Sequence, residues 1–484
     1  MNSIKRFNPR LLPLYLSLFL VACVCVPKVQ ATTTVDNLLA DPLLNGAQVS
    51  LTVRDAVSGA VLYQRNGDSR LVPGSSLKLL SSAAAMQVLG ADYRFTTQVL
   101  SNGRLDGAVL RGNLYLRGAG DPSIQAEDYR QLAARLARQG VREVSGDMVF
   151  DDTAFDAVRL GIDWAVDDED KAYGAQISAL SLAPDGDFDA GSVLVHVNAV
   201  APGEPVQVRI HPANRLLTVN NQATVGEANT IRVSREHGSN RLTVTGTVPV
   251  GEASKKWVSV WEPTRLVADV FQAALVAEGI KVRGRTFIGA VTAPGATVLV
   301  SHESAPLAQL MPVLLKLSNN AMTEVLLKAM GRRTAQAGTT DAGIGAVNGF
   351  FSGLGLDPTA WRQVDGSGLS RRNQLSTQSL TQVLLSVRQQ PWFDAWYAAL
   401  PIAGEPDRLV GGTLRNRLRD TPAQGNLHAK TGSLTGISSL SGYVRTAAGR
   451  PLVFAMVTNS YLAGAAAIRA LEDRVVLALI QRPE

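Results

Sequence analysis

In the stretch PGSSLKLLSSAAAMQVLG, residues 73–90, a single charged residue, Lys78, stands among small and apolar ones, three positions after Ser75. Residues three apart on a helix share a face. A serine in the first turn meets free backbone N–H groups and the positive end of the helix dipole, which favour developing negative charge. A neutral lysine amine beside it can take the hydroxyl proton and make the serine a nucleophile. Burial supplies the neutral amine, because it penalises the ammonium form. The helix is apolar on nearly all sides and leaves Lys78 no wet face. No other serine in the chain has lysine at +3.

Two further spacings join this pair. Ser318 and Asn320, in LKLSNNAMTEVLL, form the chain's only Ser-x-Asn, and Lys430-Thr431-Gly432, in LHAKTGSLTG, its only Lys-Thr-Gly. Each motif taken alone has a plain alternative. A serine is a common helix N-cap, a helix lysine usually reaches for water, Ser-x-Asn suits a polar turn, and Lys-Thr-Gly suits a strand end. Their order along one chain is what carries the chemistry. Ser318 follows Ser75 by 243 residues, and Lys430 follows Ser318 by 112.

The elements that must position these residues follow from periodicity. A short helix is expected over Val35–Leu44, then a hairpin of Gln48–Arg54 and Val61–Gln64, then the helix from Ser75 to about Leu89. From about 94 to about 291 short alternating runs recur between Gly, Pro and Asn, including GNLYLRG, SGDMVFDD and SVLVHVNAV. This reads as a β-rich insert of one or two subdomains, with one helix near Tyr129–Gln139. Helical periodicity returns at Pro306–Leu317, Ala321–Met330 and Thr377–Arg388. Strands are expected at Gly425–Lys430, Ser441–Thr446 and Pro451–Thr458, and a closing helix at Gly464–Gln481. The sum is an α+β domain of residues 32–93 and 292–484, an antiparallel sheet flanked by helices, interrupted by the insert.

The N-terminus reads as a secretory signal over residues 1–31. Lys5, Arg6 and Arg10 form a basic region, Leu11–Val26 an apolar one, and Val29-Gln30-Ala31 a small-x-small cleavage site. Two other readings compete with it: a lipobox at Leu20-Val21-Ala22-Cys23 that leaves a lipid on Cys23, and an apolar region kept as an anchor. The only cysteines, Cys23 and Cys25, lie here, so cleavage at Ala31 leaves a disulfide-free chain. Removing this segment takes away four positive charges, and the formal net charge of +6 falls to about +2. No basic helix or aromatic-rich basic stripe remains to bind nucleic acid. The 484 residues, 46% hydrophobic and 18% charged, describe a folded protein of two or three domains.

Ser-x-x-Lys, Ser-x-Asn and Lys-Thr-Gly in this order are the motif set of penicillin-interacting serine enzymes. With the insert between the first and second motifs, the chain resembles class C low-molecular-mass penicillin-binding proteins, exported D-alanyl-D-alanine carboxypeptidases and endopeptidases. LYLRGAGDPSI, GDMVFDD, YGAQISALSL and VDGSGLSRRN also look like that family. The resemblance implies a transpeptidase-like fold and acyl transfer that needs no metal or cofactor. It implies peptidoglycan stem peptides as substrates, β-lactams as covalent inhibitors and a periplasmic location. Ser75 then attacks a D-Ala–D-Ala carbonyl, Lys78 accepts its proton, Ser318 and Lys430 relay a proton to the leaving amine, and Asn320 holds Lys78 and the substrate amide. Lys430 and Thr431 meet a C-terminal carboxylate, Gly432 lets the substrate approach, and the N–H groups of Ser75 and Ser433 form the oxyanion hole. Asp152, after a strand of the insert, is a candidate partner for the side-chain amine of diaminopimelate, with a turn or N-cap as its plain alternative.

Two rivals share these motifs: a β-lactamase, for which no dedicated deacylating base is apparent, and a non-catalytic penicillin-binding sensor, which has no need of all five polar residues. Other chemistries find no support. The five histidines are scattered without paired spacing, which disfavours a zinc peptidase, and no Gly-x-Ser-x-Gly elbow occurs. Asp167–Asp170 reads as a solvated loop, Gly118–Asp121 as a turn, and Asp365–Gly368 as a turn that the resemblance puts beside the cleft.

Overall fold

The computed structural model describes residues 34–201 and 204–482. The signal segment and Cys23 lie outside the described residues. The central sheet has five antiparallel strands in the order Val61–Arg65, Gln48–Asp55, Pro451–Asn459, Ile437–Arg445, His428–Leu434. Side chains of a strand alternate between faces. In Pro451–Asn459, Leu452, Phe454 and Met456 enter the core under the C-terminal helix Ala465–Ile480, while Val453, Ala455 and Val457 enter the core of the helical layer. Both faces are covered, which explains the unbroken apolar run.

The helical layer is built around Lys78–Val88, whose Leu79, Leu80 and Met86 are wholly buried. Each such side chain contributes roughly 1.5–3 kcal/mol. It packs on Leu307–Lys316, Asn320–Ala335 and Thr340–Gly353. The last helix was not expected from sequence, because glycines at 343, 345, 349 and 353 lower helix propensity. Packing explains one of them: a Cβ on Gly343 would stand 2.1 Å from the Leu327 carbonyl. The expected helix at the N-terminal end is shorter than its 35–44 span, a helix over residues 34–39 followed by a 3-10 turn at Pro42–Leu44.

Between Phe95 and Ser304 the chain forms a β-rich body with a core of its own, while Ala154, Phe155, Ile177 and Ala190 join the core of the helical layer. Its largest sheet runs Thr286–Ile288, Met148–Asp151, Leu114–Gly118, Thr96–Ser101, Thr297–Glu303. The strand Thr297–Glu303 pairs with Thr96–Ser101, so the sheet continues past residue 291. Phe95 and Ser304 then close the neck, with the Ser304 N–H donating to the Phe95 carbonyl at 3.0 Å. The sheet is mixed. Leu114–Gly118 and Met148–Asp151 are parallel, joined by the crossover helix Ala126–Arg138.

Candidate active site

Ser75 lies in a 3-10 turn, Gly74–Leu77, that runs directly into the helix beginning at Lys78. Gly74 has φ +53°, the left-handed region that glycine reaches without strain. The second motif is also a sharp turn. Ser318 has φ +61°, Asn319 caps the next helix by accepting from the Met322 N–H at 2.8 Å, and Asn320 is that helix's first residue. A serine in left-handed backbone costs roughly 1–3 kcal/mol, strain that gathers at functional sites. The third motif lies within the edge strand His428–Leu434, where Lys430 pairs with Ser441 and Gly432 with Ser439. The expected strand, ending at Lys430, was set too early.

These three turns and strands converge. Lys78 Nζ lies 2.9 Å from Ser75 Oγ, 2.6 Å from Asn320 Oδ1 and 2.7 Å from the Ser367 carbonyl. Asn320 Nδ2 donates to the Tyr173 carbonyl at 2.9 Å, which fixes its Oδ1 towards Lys78. Two of the three Lys78 partners are therefore acceptors only. A neutral amine gives its two hydrogens to them and turns its lone pair to the Ser75 hydroxyl. Lys430 Nζ donates to Ser318 Oγ at 2.9 Å and to the Thr431 carbonyl at 2.7 Å.

Both lysines have 0% of their surface exposed. Burial pushes Lys78 down from its ordinary value to about 7, against the pull of the Glu324 and Asp365 charges, which favour the ammonium. Burial and the nearby Lys78 charge likewise hold Lys430 well below the usual lysine range. Glu324 is pushed up to about 7, first by burial and then by Asp365, while N–H groups of Gly366 and Ser367 favour its charged form.

Gly432 is required by space. A Cβ there would stand 2.3 Å from Ser439 Oγ, 2.5 Å from the Pro73 carbonyl and 2.9 Å from the Ser75 nitrogen. The nucleophile turn and the edge strand thus lie backbone against backbone. Ser76, the other serine of the pair, is fully buried and bonded to Ser439 Oγ at 2.7 Å. Thr431 Oγ1 meets Thr413 Oγ1 at 2.8 Å, and Ser433 is exposed at the strand's outer side.

Tyr173 and Trp164 are not singled out by the sequence, whereas the turn Asp365–Gly368 is expected beside the cleft. The turn Asp365–Gly368 presents the Ser367 carbonyl to Lys78. Asp365 holds that turn by accepting from the Gly368 and Ser370 N–H groups, Asn373 Nδ2 and Trp164 Nε1. Tyr173 and Trp164 come from the β-rich body, which therefore helps build the site. The segment Asp167–Asp170 is less solvated than expected, because Glu169 is buried and paired with Arg235 and His237. Nothing in the local sequence signals the contacts of Tyr173, Trp164 and Glu169, since each closes across more than sixty residues.

Asp152 stands apart from this group. It is buried, and its Oδ2 accepts from Arg159 at 2.6 Å, Thr264 Oγ1 at 2.6 Å and Ser178 Oγ at 3.2 Å. The carboxylate neutralises Arg159 and ties a strand end to the helix Pro263–Ala277.

Known proteins resemble the chain over nearly its whole length. The model of the D-Ala-D-Ala carboxypeptidase 3 (S13) family matches residues 31–481. A D-alanyl-D-alanine carboxypeptidase of Actinomadura sp. (strain R39) is 41% identical over 453 residues, covering 92% of this chain and 84% of that one. D-alanyl-D-alanine carboxypeptidase DacB of Haemophilus influenzae is 27% identical over 443 residues, 88% of each chain. The crystal structure of penicillin binding protein 4 from Haemophilus influenzae superposes with a TM-score of 0.79 at 25% identity, over 92% of this chain and 98% of that one. A second structure of that protein, complexed with a β-lactam, gives a TM-score of 0.74 over the same shares. The chain belongs to the D-Ala-D-Ala carboxypeptidase 3 (S13) family.

Proposed function

We propose that this protein hydrolyses the D-Ala–D-Ala bond of peptidoglycan stem peptides, and the D-Ala–diaminopimelate bond of cross-bridges, through an acyl-enzyme on Ser75. The observation that carries the reading is the Lys78 amine, buried and held so that Ser75 is its one partner with a proton to give. As the Ser75 Oγ–carbon bond forms, the hydroxyl proton passes to Lys78. The N–H groups of Ser75 and Ser433 receive the oxyanion, a role supported by the close approach at Gly432. The carbon–nitrogen bond breaks, and Ser318 passes its proton to the leaving amine while Lys430 resupplies Ser318. Lys430 and Thr431 bind the leaving group's carboxylate. Water then attacks the ester: Lys78 gives its proton back to Ser75 Oγ as the ester bond breaks, and the proton released by the attacking water restores Lys430.

β-Lactams acylate the same serine, a reading supported by the β-lactam complex of the Haemophilus relative. The N-terminal signal directs the chain to the periplasm, with lipidation at Cys23 as the alternative fate. Incubation with purified peptidoglycan fragments, followed by mass identification of products, tests the proposal. Loss of one D-Ala from a pentapeptide and conversion of cross-linked dimers to monomers are the expected outcomes. Intact fragments overturn it.

A further inference from the structure

Beside the Lys-Thr-Gly strand lies a cavity of 360 Å³ whose arginines the chemistry above does not use. Thr431, Gly432 and Ser433 of that strand line it. Its far wall carries three arginines. Arg417 is committed: it is paired with Glu472 and Asp473 and bonded to the Arg469 carbonyl. Arg415 spends one N–H on the Gly412 carbonyl at 3.0 Å, which anchors its stem. Arg469 is exposed, and among the described residues no hydrogen bond or ion pair holds its guanidinium. Two guanidinium forks are thus open to one cavity, a geometry suited to carboxylates.

We propose that this cavity is a leaving-group subsite for the acidic arm of a cross-linked stem peptide, with Arg415 and Arg469 as its carboxylate ligands. The inference rests on the D,D-peptidase reading given above. In that reading the leaving group lies against Thr431, whose hydroxyl meets Thr413 at the rim of the cavity. Simple carboxypeptidation releases D-Ala, whose single carboxylate is taken by Lys430 and Thr431. Cleavage of a cross-bridge releases instead the side-chain amine of a diamino acid still joined to its own stem, which brings further carboxylates. Those carboxylates extend past Thr431, and the cavity with two open arginines is what they meet. The volume falls in the ordinary range for ligand pockets, roughly 300–1,000 Å³. The arginines therefore favour cross-linked over monomeric substrate.

The test compares a purified cross-linked muropeptide dimer with a monomeric pentapeptide on the full chain and on Arg469→Gln, Arg415→Gln and the double variant. The double variant should raise KM for the dimer about tenfold, the usual worth of a lost charge-assisted contact, with kcat little changed. KM for the pentapeptide should stay within about twofold, and Arg469→Lys should recover part of the loss. The rate of β-lactam acylation reports on the fold of each variant, and Arg469→Gln alters only an exposed side chain. An unchanged KM for the dimer, or an equal rise for both substrates, overturns the inference. Cleavage of the pentapeptide but not the dimer by the unaltered protein overturns it while sparing the carboxypeptidase reading. Cleavage of neither overturns both.

Discussion

Lys78 Nζ lies 2.9 Å from Ser75 Oγ, and its two remaining partners, Asn320 Oδ1 and the Ser367 carbonyl, can only accept. The hydroxyl proton therefore has one nearby destination. A β-lactam is expected to add its mass to the peptide that contains Ser75, and the adduct should persist for minutes or longer. Ser75→Ala should abolish both labelling and peptidase activity. Lys78→Ala should slow acylation by roughly 10²–10⁴, the usual range for a lost general base. Ser76→Ala should keep the label, because Ser76 Oγ is buried against Ser439. Peptide mapping that finds the adduct on Ser76, or on no serine, contradicts the assignment.

Gly432 and Ser75 are neighbours through their backbones, with no room for a methyl between them. Gly432→Ala drives a Cβ into the Pro73 carbonyl and Ser439 Oγ, so either the edge strand or the nucleophile turn must shift. Overpacking of this kind costs roughly 1–3 kcal/mol. A displacement near 1 Å at the reacting atoms costs about 10²-fold in rate. Thermal melting and the second-order rate of β-lactam acylation measure the two effects. An alanine variant that acylates at the original rate would show that Gly432 does not set the position of Ser75.

The three motifs were readable because each is local: Ser75 stands in the 3-10 turn that leads into the helix beginning at Lys78, and Lys430 to Gly432 share a strand. The alternating runs of the insert and the apolar central strands were readable for the same reason. What was not readable depends on contacts distant in sequence. In the Thr340–Gly353 helix, Gly343 is required because its neighbour packs so closely at Leu327. The carbonyls of Tyr173 and Ser367 reach Asn320 and Lys78 from other parts of the chain, and a carbonyl has no sequence signature. The insert's far edge was misread because Thr297–Glu303 pairs with a strand about two hundred residues earlier.

Asp152 illustrates the same limit. A carboxylate after a strand suits a substrate amine as well as an internal partner, and only the structure supplies Arg159, Thr264 and Ser178. Asp152→Ala leaves the Arg159 guanidinium, itself mostly buried, without its counter-charge. Breaking a buried pair from one side costs about 3–5 kcal/mol. The variant should melt at a lower temperature and lose activity equally on small thioesters and on peptides with a free diaminopimelate amine. A selective loss on the amine-bearing peptides would instead place Asp152 in recognition of the substrate amine.

The last prediction concerns pH. Lys78 acts as a base only when neutral, and burial lowers it from its ordinary value to about 7. Raising the pH through about 7 therefore converts the ammonium to the active amine, and acylation should climb over that interval and then level. The Glu324 charge works the other way, since a nearby anion favours the ammonium and holds Lys78 higher than burial alone would. Glu324→Gln removes that charge, so the rising limb should move to lower pH. The substituted amide also gives up an acceptor for the Gly366 and Ser367 N–H groups, a loss of about 1–3 kcal/mol in stability. Acylation rates measured against pH, with thermal melting alongside, separate the two consequences. A limb that moves to higher pH in Glu324→Gln would mean that the group titrating in the rate is not Lys78, and one that stays in place would mean that Glu324 is already protonated over that interval.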